Sequence, residues 1–418
     1  MDKKKSIMIL LLSFGIVGIY GFPYMKGTFY NVIKAALQLS DIQLSRIWGV
    51  FGTVGMLSYV LGGYFTDRIS PRKILTAALA LSSILHLYVS FVPSYPLLLV
   101  ISGLMGLTAV FAFFPASSKV LSSLGSNHNA GRVFGVYYAL EGLGGMVVNA
   151  IGSRMYVLTG NEMQTFVLIV RIYAVLNLVA AIGIYFWFSE IETDGIQGNQ
   201  ISFSQLKHVF RRKEVWLIAG ITLCNFWLYC SLTYITPYLT DVYGVSEGRT
   251  LLYGIIRVNI LTVFAGIVFG KLADKKRSAL KVIVWVMPLQ CVTLCLLISN
   301  EVILKMEIIT VVLTMLYAFA ATGVKTICLV LITESEFPML IVGTVIGVVS
   351  FIGYSPDAFL YPITGKLLDK YSEQGYFYLF VVCLTIAVLA IICCKILQKI
   401  RREECEKKSD RISGVAGI

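Results

Sequence analysis

Charge is what this sequence has least of. Only 14% of its 418 residues are Asp, Glu, Lys or Arg, against about 25% in a soluble domain, so a water-covered surface cannot be built from it. Polar stretches are scarce too, and the one long internal stretch spans residues 190–213. There are three histidines, and none of the nine cysteines precedes Cys224. Those cysteines (Cys224, Cys230, Cys291, Cys295, Cys328, Cys383, Cys393, Cys394 and Cys405) fall mostly within apolar runs and lack tight Cys/His spacing. That argues against a disulfide framework and a zinc site and reads them as small core residues. No Gly-rich phosphate loop, nucleophile motif or metal-ligand spacing is found, which speaks against an enzyme and an ATP-driven pump. No cofactor and no metal are expected.

What fills the chain instead is hydrophobic: 57% of residues, with a mean hydropathy of +0.80. At about 30 residues per helix and turn, roughly twelve membrane spans fit. They are placed near residues 6–36, 42–66, 73–92, 95–124, 130–158 and 163–189, then 214–243, 247–271, 279–299, 303–334, 339–368 and 374–399. The expectation is an all-α membrane protein, with an N-terminal six-helix bundle over 1–190 and a cytoplasmic linker over 191–213. A C-terminal bundle over 214–400 and a basic tail over 401–418 complete it. The net charge of +12 could suggest nucleic acid, but the bases sit in alternate loops: 67–73, 119–132, 207–213, 271–281 and the tail from Lys395 to Arg411. That is the positive-inside pattern of an integral, multi-pass protein of the inner (plasma) membrane with both termini cytoplasmic. Its surroundings are the lipid bilayer, with no nucleic-acid partner, and a monomer is expected. The run after Lys3-Lys4-Lys5 lacks a small-residue cleavage site and reads as an uncleaved first span. Glu334 and Glu336 break the pattern, with no base nearby in sequence. Residues 202–213 suit a short basic amphipathic helix on the inner leaflet or a plain solvated linker.

One signature is written twice. Gly63-Tyr-Phe-Thr-Asp67-Arg68-Ile-Ser-Pro-Arg72-Lys73 ends one apolar run, and Gly270-Lys-Leu-Ala-Asp274-Lys275-Lys276-Arg277 ends another. Lys119 follows Asp67 by 52 residues and Lys325 follows Asp274 by 51; Glu141 and Asp357 follow the same aspartates by 74 and 83. The fourth and tenth spans therefore each carry a lysine, and the fifth and eleventh each carry an acid. A six-helix unit repeated in parallel places a solute site between its halves.

The repeated hairpin resembles the loop between the second and third helices of major facilitator transporters, with its weaker copy between helices eight and nine. The major facilitator fold is what this resemblance implies, in two pseudo-symmetric bundles of six helices. Three patches are similar to the organophosphate:phosphate antiporter branch: Asp67-Arg68-Ile-Ser70-Pro71-Arg72; Phe114-Pro115-Ala-Ser-Ser-Lys119 with Glu141-Gly-Leu-Gly144-Gly145; and Gly343-Thr344-Val-Ile-Gly347 with Gly353-Tyr354. That branch has substrate-binding arginines in its first and seventh spans. Here the first falls at Tyr24, with Lys26 the nearest base, and the seventh span (Trp216 to Tyr243) has none. The nitrate-transporter branch matches only at Arg257.

Lys26, Glu141, Arg257, Lys325 and Asp357 fall well inside predicted spans. Each costs roughly 2.5–3.5 kcal/mol at a lipid-facing helix centre, and the five together on the order of 15 kcal/mol, comparable with a whole domain's stability. They must face the interior, pair, or line a wet cavity. Glu141 and Asp357 are candidates for proton coupling, because a carboxyl group withdrawn from water can take up and release a proton; structural pairing with a base is the alternative. Pro356 and Pro362 loosen the helix around Asp357. Arg257 can hold an anion in two-point fashion or form a salt bridge with Asp357. Lys26 can bind substrate or snorkel to the outer interface. Lys325 suits a gate or the lining of an inner cavity, with Tyr30 and Tyr354 as further substrate contacts. Tyr20, Asn225, Tyr229, Tyr234, Asn259 and Gln290 are secondary candidates, while His86 and His128 read as structural and Arg171 as reaching the outer surface. Gly63, Asp67, Arg68, Arg72, Lys119 and Asp274 form the expected cytoplasmic gate. Gly142/Gly145 and Gly343/Gly347 are expected to let the halves approach and slide.

With three bases against two acids, the interior favours an anionic small molecule. The expectation is a secondary active transporter of a small polar organic anion, driven by proton symport or by anion exchange. The alternative is a transporter-like membrane solute sensor that signals through a partner protein.

Overall fold

The computed structural model describes residues 3–66, 69–124, 130–188, 211–300, 306–335, 337 and 339–415. They are helical almost throughout, and the helices group into twelve spans. Spans 1 to 6 cover residues 3–37, 41–66, 71–89, 95–124, 130–159 and 162–187; spans 7 to 12 cover 213–241, 247–276, 279–299, 307–333, 339–371 and 374–415. Among the described residues, nine helices are long and apolar enough to cross a membrane. Spans 1, 2 and 11 are not among those nine; spans 1 and 11 are each broken into shorter helices.

The breaks follow from sequence. Pro23 has no N–H to return to Ile19, so span 1 is divided into Lys3–Ile19, Gly21–Tyr24 and Lys26–Leu37. It is irregular again at Phe29 (φ −108°, ψ 30°). Span 11 divides after Gly353 and restarts at Pro356, the first helical residue of Pro356–Tyr371, where proline's fixed φ is best tolerated. Spans 4 and 8 each contain a stretch of π-helix, Leu107–Phe113 and Ile256–Ile260. Such stretches are frequent at functional sites.

Within residues 1–188, span 1 lies against spans 5 and 6, span 2 against span 4, and span 3 against span 6. From residue 211 onward, span 7 lies against spans 10, 11 and 12, and span 9 against spans 10 and 12. The two groups meet chiefly along spans 2 and 11. There the backbones come close because Gly49 faces Pro362, Gly52 faces the Asp357 carbonyl, and Gly365 faces Ser45 and the Asp41 carbonyl. The span-5 glycines also face the other half, Gly142 at Val263 and Gly145 at Asn259. Gly347 does not: among the described residues, nothing lies within 4 Å of the position its Cβ would take. The side-chain surroundings of Gly343 lie outside the described residues.

Two expectations about the tail change. The last helix, Gln374–Val415, runs on past residue 400 without a break, because nothing in Lys395–Arg411 stops a helix. It also supplies the base that Glu334 lacks in the local sequence. Arg401 Nη1 lies 2.8 Å from Glu334 Oε2, and Arg401 Nη2 donates to the Leu331 carbonyl and Ser335 Oγ. Most of the linker expected at 191–213 lies outside the described residues.

Candidate functional site

The breaks in spans 1 and 11 place Lys26 and Asp357 on facing helix ends. Lys26 is only 3% exposed, which replaces the snorkelling alternative: the break turns its stem inward. Its Nζ lies 3.7 Å from the centroid of the Tyr361 ring, 5.1 Å from Tyr24 and 5.4 Å from Trp48. Ring faces attract a cation through their quadrupole, and more strongly when it is desolvated. Asp357, also buried, accepts from Tyr24 Oη at 3.1 Å and from Cys230 Sγ at 3.4 Å, within electrostatic reach of Lys26. Among the described residues, neither makes an ion pair within 4 Å. Beside Asp357 is a cavity of ≈ 20 Å³ bounded by Tyr20, Tyr24, Phe51, Val110 and Tyr354. That is room for about one water, not for an organic solute.

A second group spans the halves. Lys325 Nζ lies 3.6 Å from the centroid of the Tyr229 ring and 5.8 Å from Phe226. Glu141, from span 5, is within electrostatic reach of Lys325. Both are half-buried, as is Tyr354, and Tyr138 beside them is exposed. Tyr354 thus borders both groups.

The third region closes one end of the protein. Tyr30 Oη donates to Asp41 Oδ1 (2.7 Å), whose other oxygen pairs with Lys34 (2.7 Å). Asp369 of span 11 accepts the N–H groups of Asp41 and Ile42 (3.0 and 3.3 Å). Asn31 donates to Glu247 (2.6 Å) and Thr240 (3.0 Å), and Ser45 and Tyr234 share a 3.0 Å hydrogen bond. Arg257 Nη2 donates to the Gly27 carbonyl (2.5 Å) and Thr236 Oγ1 (2.8 Å). Arg257 therefore does not pair with Asp357; the π-helical turn in span 8 aims it at span 1. At the opposite end, Phe114–Leu124, Leu261–Lys276 and Val330–Thr333 pack mainly within their own halves. The protein is closed at its Asp41 end.

Of the expected gate, Asp67 and Arg68 lie outside the described residues, and Gly63 falls within the helix Asp41–Thr66. Arg72 donates to the Tyr185 carbonyl (2.5 Å) and stacks on the Tyr185 ring, within its own half. Lys119 is half-buried and Asp274 exposed.

Asp41, Asp369, Asn31 and Glu247 were not singled out by sequence reasoning. Each lies near a span end, where a polar side chain looks like an ordinary solvated residue. His86 was read as structural, and it does brace the span-1 break: its Nε2 accepts from Phe22 N–H (3.4 Å) while Nδ1 faces the Ser82 carbonyl (2.8 Å).

This arrangement, broken helices from two halves bringing buried charges to one seam, can be set beside known proteins. The model for the Major Facilitator Superfamily matches residues 6–358. The chain belongs to the Major Facilitator Superfamily. It is thus an integral, multi-pass membrane protein and a secondary transporter, from a family of transporters rather than enzymes. It is 25% identical over 380 residues to Inner membrane protein YqcE of Escherichia coli (strain K12), covering 88% of each chain. It is 22% identical over 259 residues to Probable anion transporter 2, chloroplastic, of Oryza sativa subsp. japonica, covering 56% of this chain and 46% of that one. Among solved structures it resembles a bacterial homologue of the human lysosomal transporter Spinster in its inward-facing, unoccupied conformation. The TM-score is 0.70 at 14% identity, over 96% of this chain and 98% of that one. That likeness shows the fold.

Proposed function

We propose that this major facilitator protein carries a small polar organic anion by alternating access, driven by proton symport or by anion exchange. The observation that carries the reading is how Lys26 and Lys325 are held. Each ammonium rests less than 4 Å from a tyrosine ring centroid, with no described carboxylate within 4 Å. An ammonium held against tyrosine rings without a close ion pair keeps most of its attraction for an anion. Arg257 adds a third cation. Glu141 and Asp357, each within reach of one lysine, are the proton-coupling groups. Tyr30 and Tyr354 shape the seam, Tyr30 from the closed end and Tyr354 beside the small cavity at Asp357.

The sequence patches resemble the organophosphate:phosphate branch, but span 7 carries no base between Trp216 and Tyr243. That speaks against phosphate-ester exchange and for a related organic anion, with Lys26 the base nearest the first-span position. The likeness to a probable anion transporter supports an anion of some kind. In this reading the protein is an inner-membrane monomer with cytoplasmic termini, and residues 1–190 and 214–400 rock as two bodies. The closed Asp41 end is then the outer face, and the state is inward-facing. Gly63, Asp67, Arg68, Arg72, Lys119 and Asp274 close the inner face in the opposite state.

The test is counterflow in proteoliposomes of the purified protein with panels of phosphate esters, carboxylates and sulfonates, alongside neutral and cationic controls. Uptake of an anionic class alone is expected. Uptake of neutral or cationic solutes instead overturns the reading.

A further inference from the structure

Arg257 is only 2% exposed, yet its guanidinium is half satisfied. Nη2 donates to the Gly27 carbonyl and to Thr236 Oγ1, while Nε and Nη1 are buried without a partner. No described carboxylate lies within 4 Å of it. A buried cation held only by neutral acceptors is costly, as is each buried donor left unmade.

The seam around it is narrow. A Cβ on Gly254 would lie 3.1 Å from Thr28 Cα, and one on Gly27 would lie 3.0 Å from Val258. Thr28 itself is buried with its hydroxyl unpartnered. Spans 1 and 8 thus close on an arginine whose unused donors face a place with no acceptor. The Gly27 carbonyl, in contrast, takes two hydrogen bonds from the other half, from Arg257 and from Thr236 Oγ1 at 3.1 Å. One residue both ties the halves together at this end and retains an unfilled demand for an anion.

We propose that Arg257 is an exchangeable latch: it holds the Asp41 end shut by donating to Gly27, and it gives up that bond to the anionic group of the solute when spans 1 and 8 part. The proposal rests on the anionic reading of the solute. Solute anion and backbone carbonyl then compete for one guanidinium, so binding from the Asp41 side favours opening through differential affinity for the open state. A two-point guanidinium–anion contact is stronger than the carbonyl and hydroxyl it replaces.

The latch can be read without measuring transport. Thr28→Cys places a thiol in the seam at the cost of no hydrogen bond, and a membrane-impermeant maleimide reports when the seam opens. The full-length parent chain supplies the background from native cysteines. Thr28→Cys alone is expected to label slowly. Adding Arg257→Ala raises the rate about tenfold or more, the loss expected for a charged hydrogen bond. Thr236→Val, which weakens the latch and keeps the cation, raises it less and guards against misfolding of the arginine variant. Inorganic phosphate, gluconate and ethanesulfonate are the probe anions. At least one is expected to speed labelling in Thr28→Cys and in its Thr236→Val form, and to have no effect once Arg257 is alanine.

Unchanged labelling in both the Arg257→Ala and the Thr236→Val forms overturns the latch. An anion effect that survives Arg257→Ala overturns the exchange, whatever the solute. If no anion changes labelling in Thr28→Cys and none shows counterflow, while Arg257→Ala still opens the seam, the anionic reading fails and the exchange step fails with it.

Discussion

The side chain of Asp369, near the end of span 11, accepts the backbone N–H groups of Asp41 and Ile42 at the first turn of span 2 (3.0 and 3.3 Å). A carboxylate from one half thus caps a helix of the other. It meets two of the four N–H groups that a helix start leaves open and the positive end of the helix dipole. Asp41 is itself held by Tyr30 and Lys34, so the cap belongs to a cross-half lock.

Removing the cap should loosen the Asp41 end. An N-cap is worth about 0.5–2 kcal/mol, so Asp369→Ala should speed hydrogen exchange at Asp41 and Ile42 by about 2- to 30-fold. Peptides from the last helix, Gln374–Val415, should be unchanged. Equal acceleration across the chain would mean general destabilisation and not a released cap.

Lys26 and Asp357 should be energetically coupled although they do not touch. They share Tyr24, which lies under the ammonium and donates to the carboxylate. A double-mutant cycle of Lys26→Met and Asp357→Asn, read by thermal unfolding in detergent, should give a coupling of about 0.5–3 kcal/mol. Additive effects would mean that the two charges are held independently.

These charges, and not the lock, were legible in the sequence. Lys26, Arg257 and Asp357 stood out because an ionisable group within a long apolar run has few tolerable environments, and the structure buries all three. The lock was hidden because Asp369, Asn31 and Glu247 lie near span ends, where water satisfies most polar groups. Only the rotation and closure of the helices decide which of them meet. Glu334 is the same problem at longer range, since its base, Arg401, is 67 residues away. Pro23 and Pro356 mark breaks that a reader of the sequence can locate, but the aim of Arg257 depends on a π-helical turn that no residue type announces.

Glu141 should set the pH response. A proton loads a symporter, so uptake driven by a proton gradient should rise as the pH on the loading side falls. Glutamine mimics the protonated acid and cannot release its proton. Glu141→Gln should therefore abolish proton-driven accumulation while leaving solute exchange intact, measured in proteoliposomes with and without an imposed pH gradient. A wild-type pH profile in the variant would remove Glu141 from the coupling role and leave it as a partner for Lys325.

The close approach of the halves at Gly52 should be intolerant of a single methyl group, and the glycine expected from sequence should not be. A Cβ on Gly52 would strike the carbonyl of Asp357, and a backbone atom in a packed helix cannot rotate aside. Gly52→Ala should therefore cost about 1–3 kcal/mol of the packing between spans 2 and 11, seen as a lower melting temperature in detergent. Because Asp357 is displaced with its backbone, the pH dependence of uptake should change as well. Gly347, with no described residue within 4 Å of its Cβ position, lies inside the helix Met339–Gly353. There alanine is favoured over glycine by about 0.4–1 kcal/mol, so Gly347→Ala should leave the melting temperature equal or higher. If both variants melt like the parent, spans 2 and 11 are not in close contact, and the seam does not hold Lys26 beside Asp357.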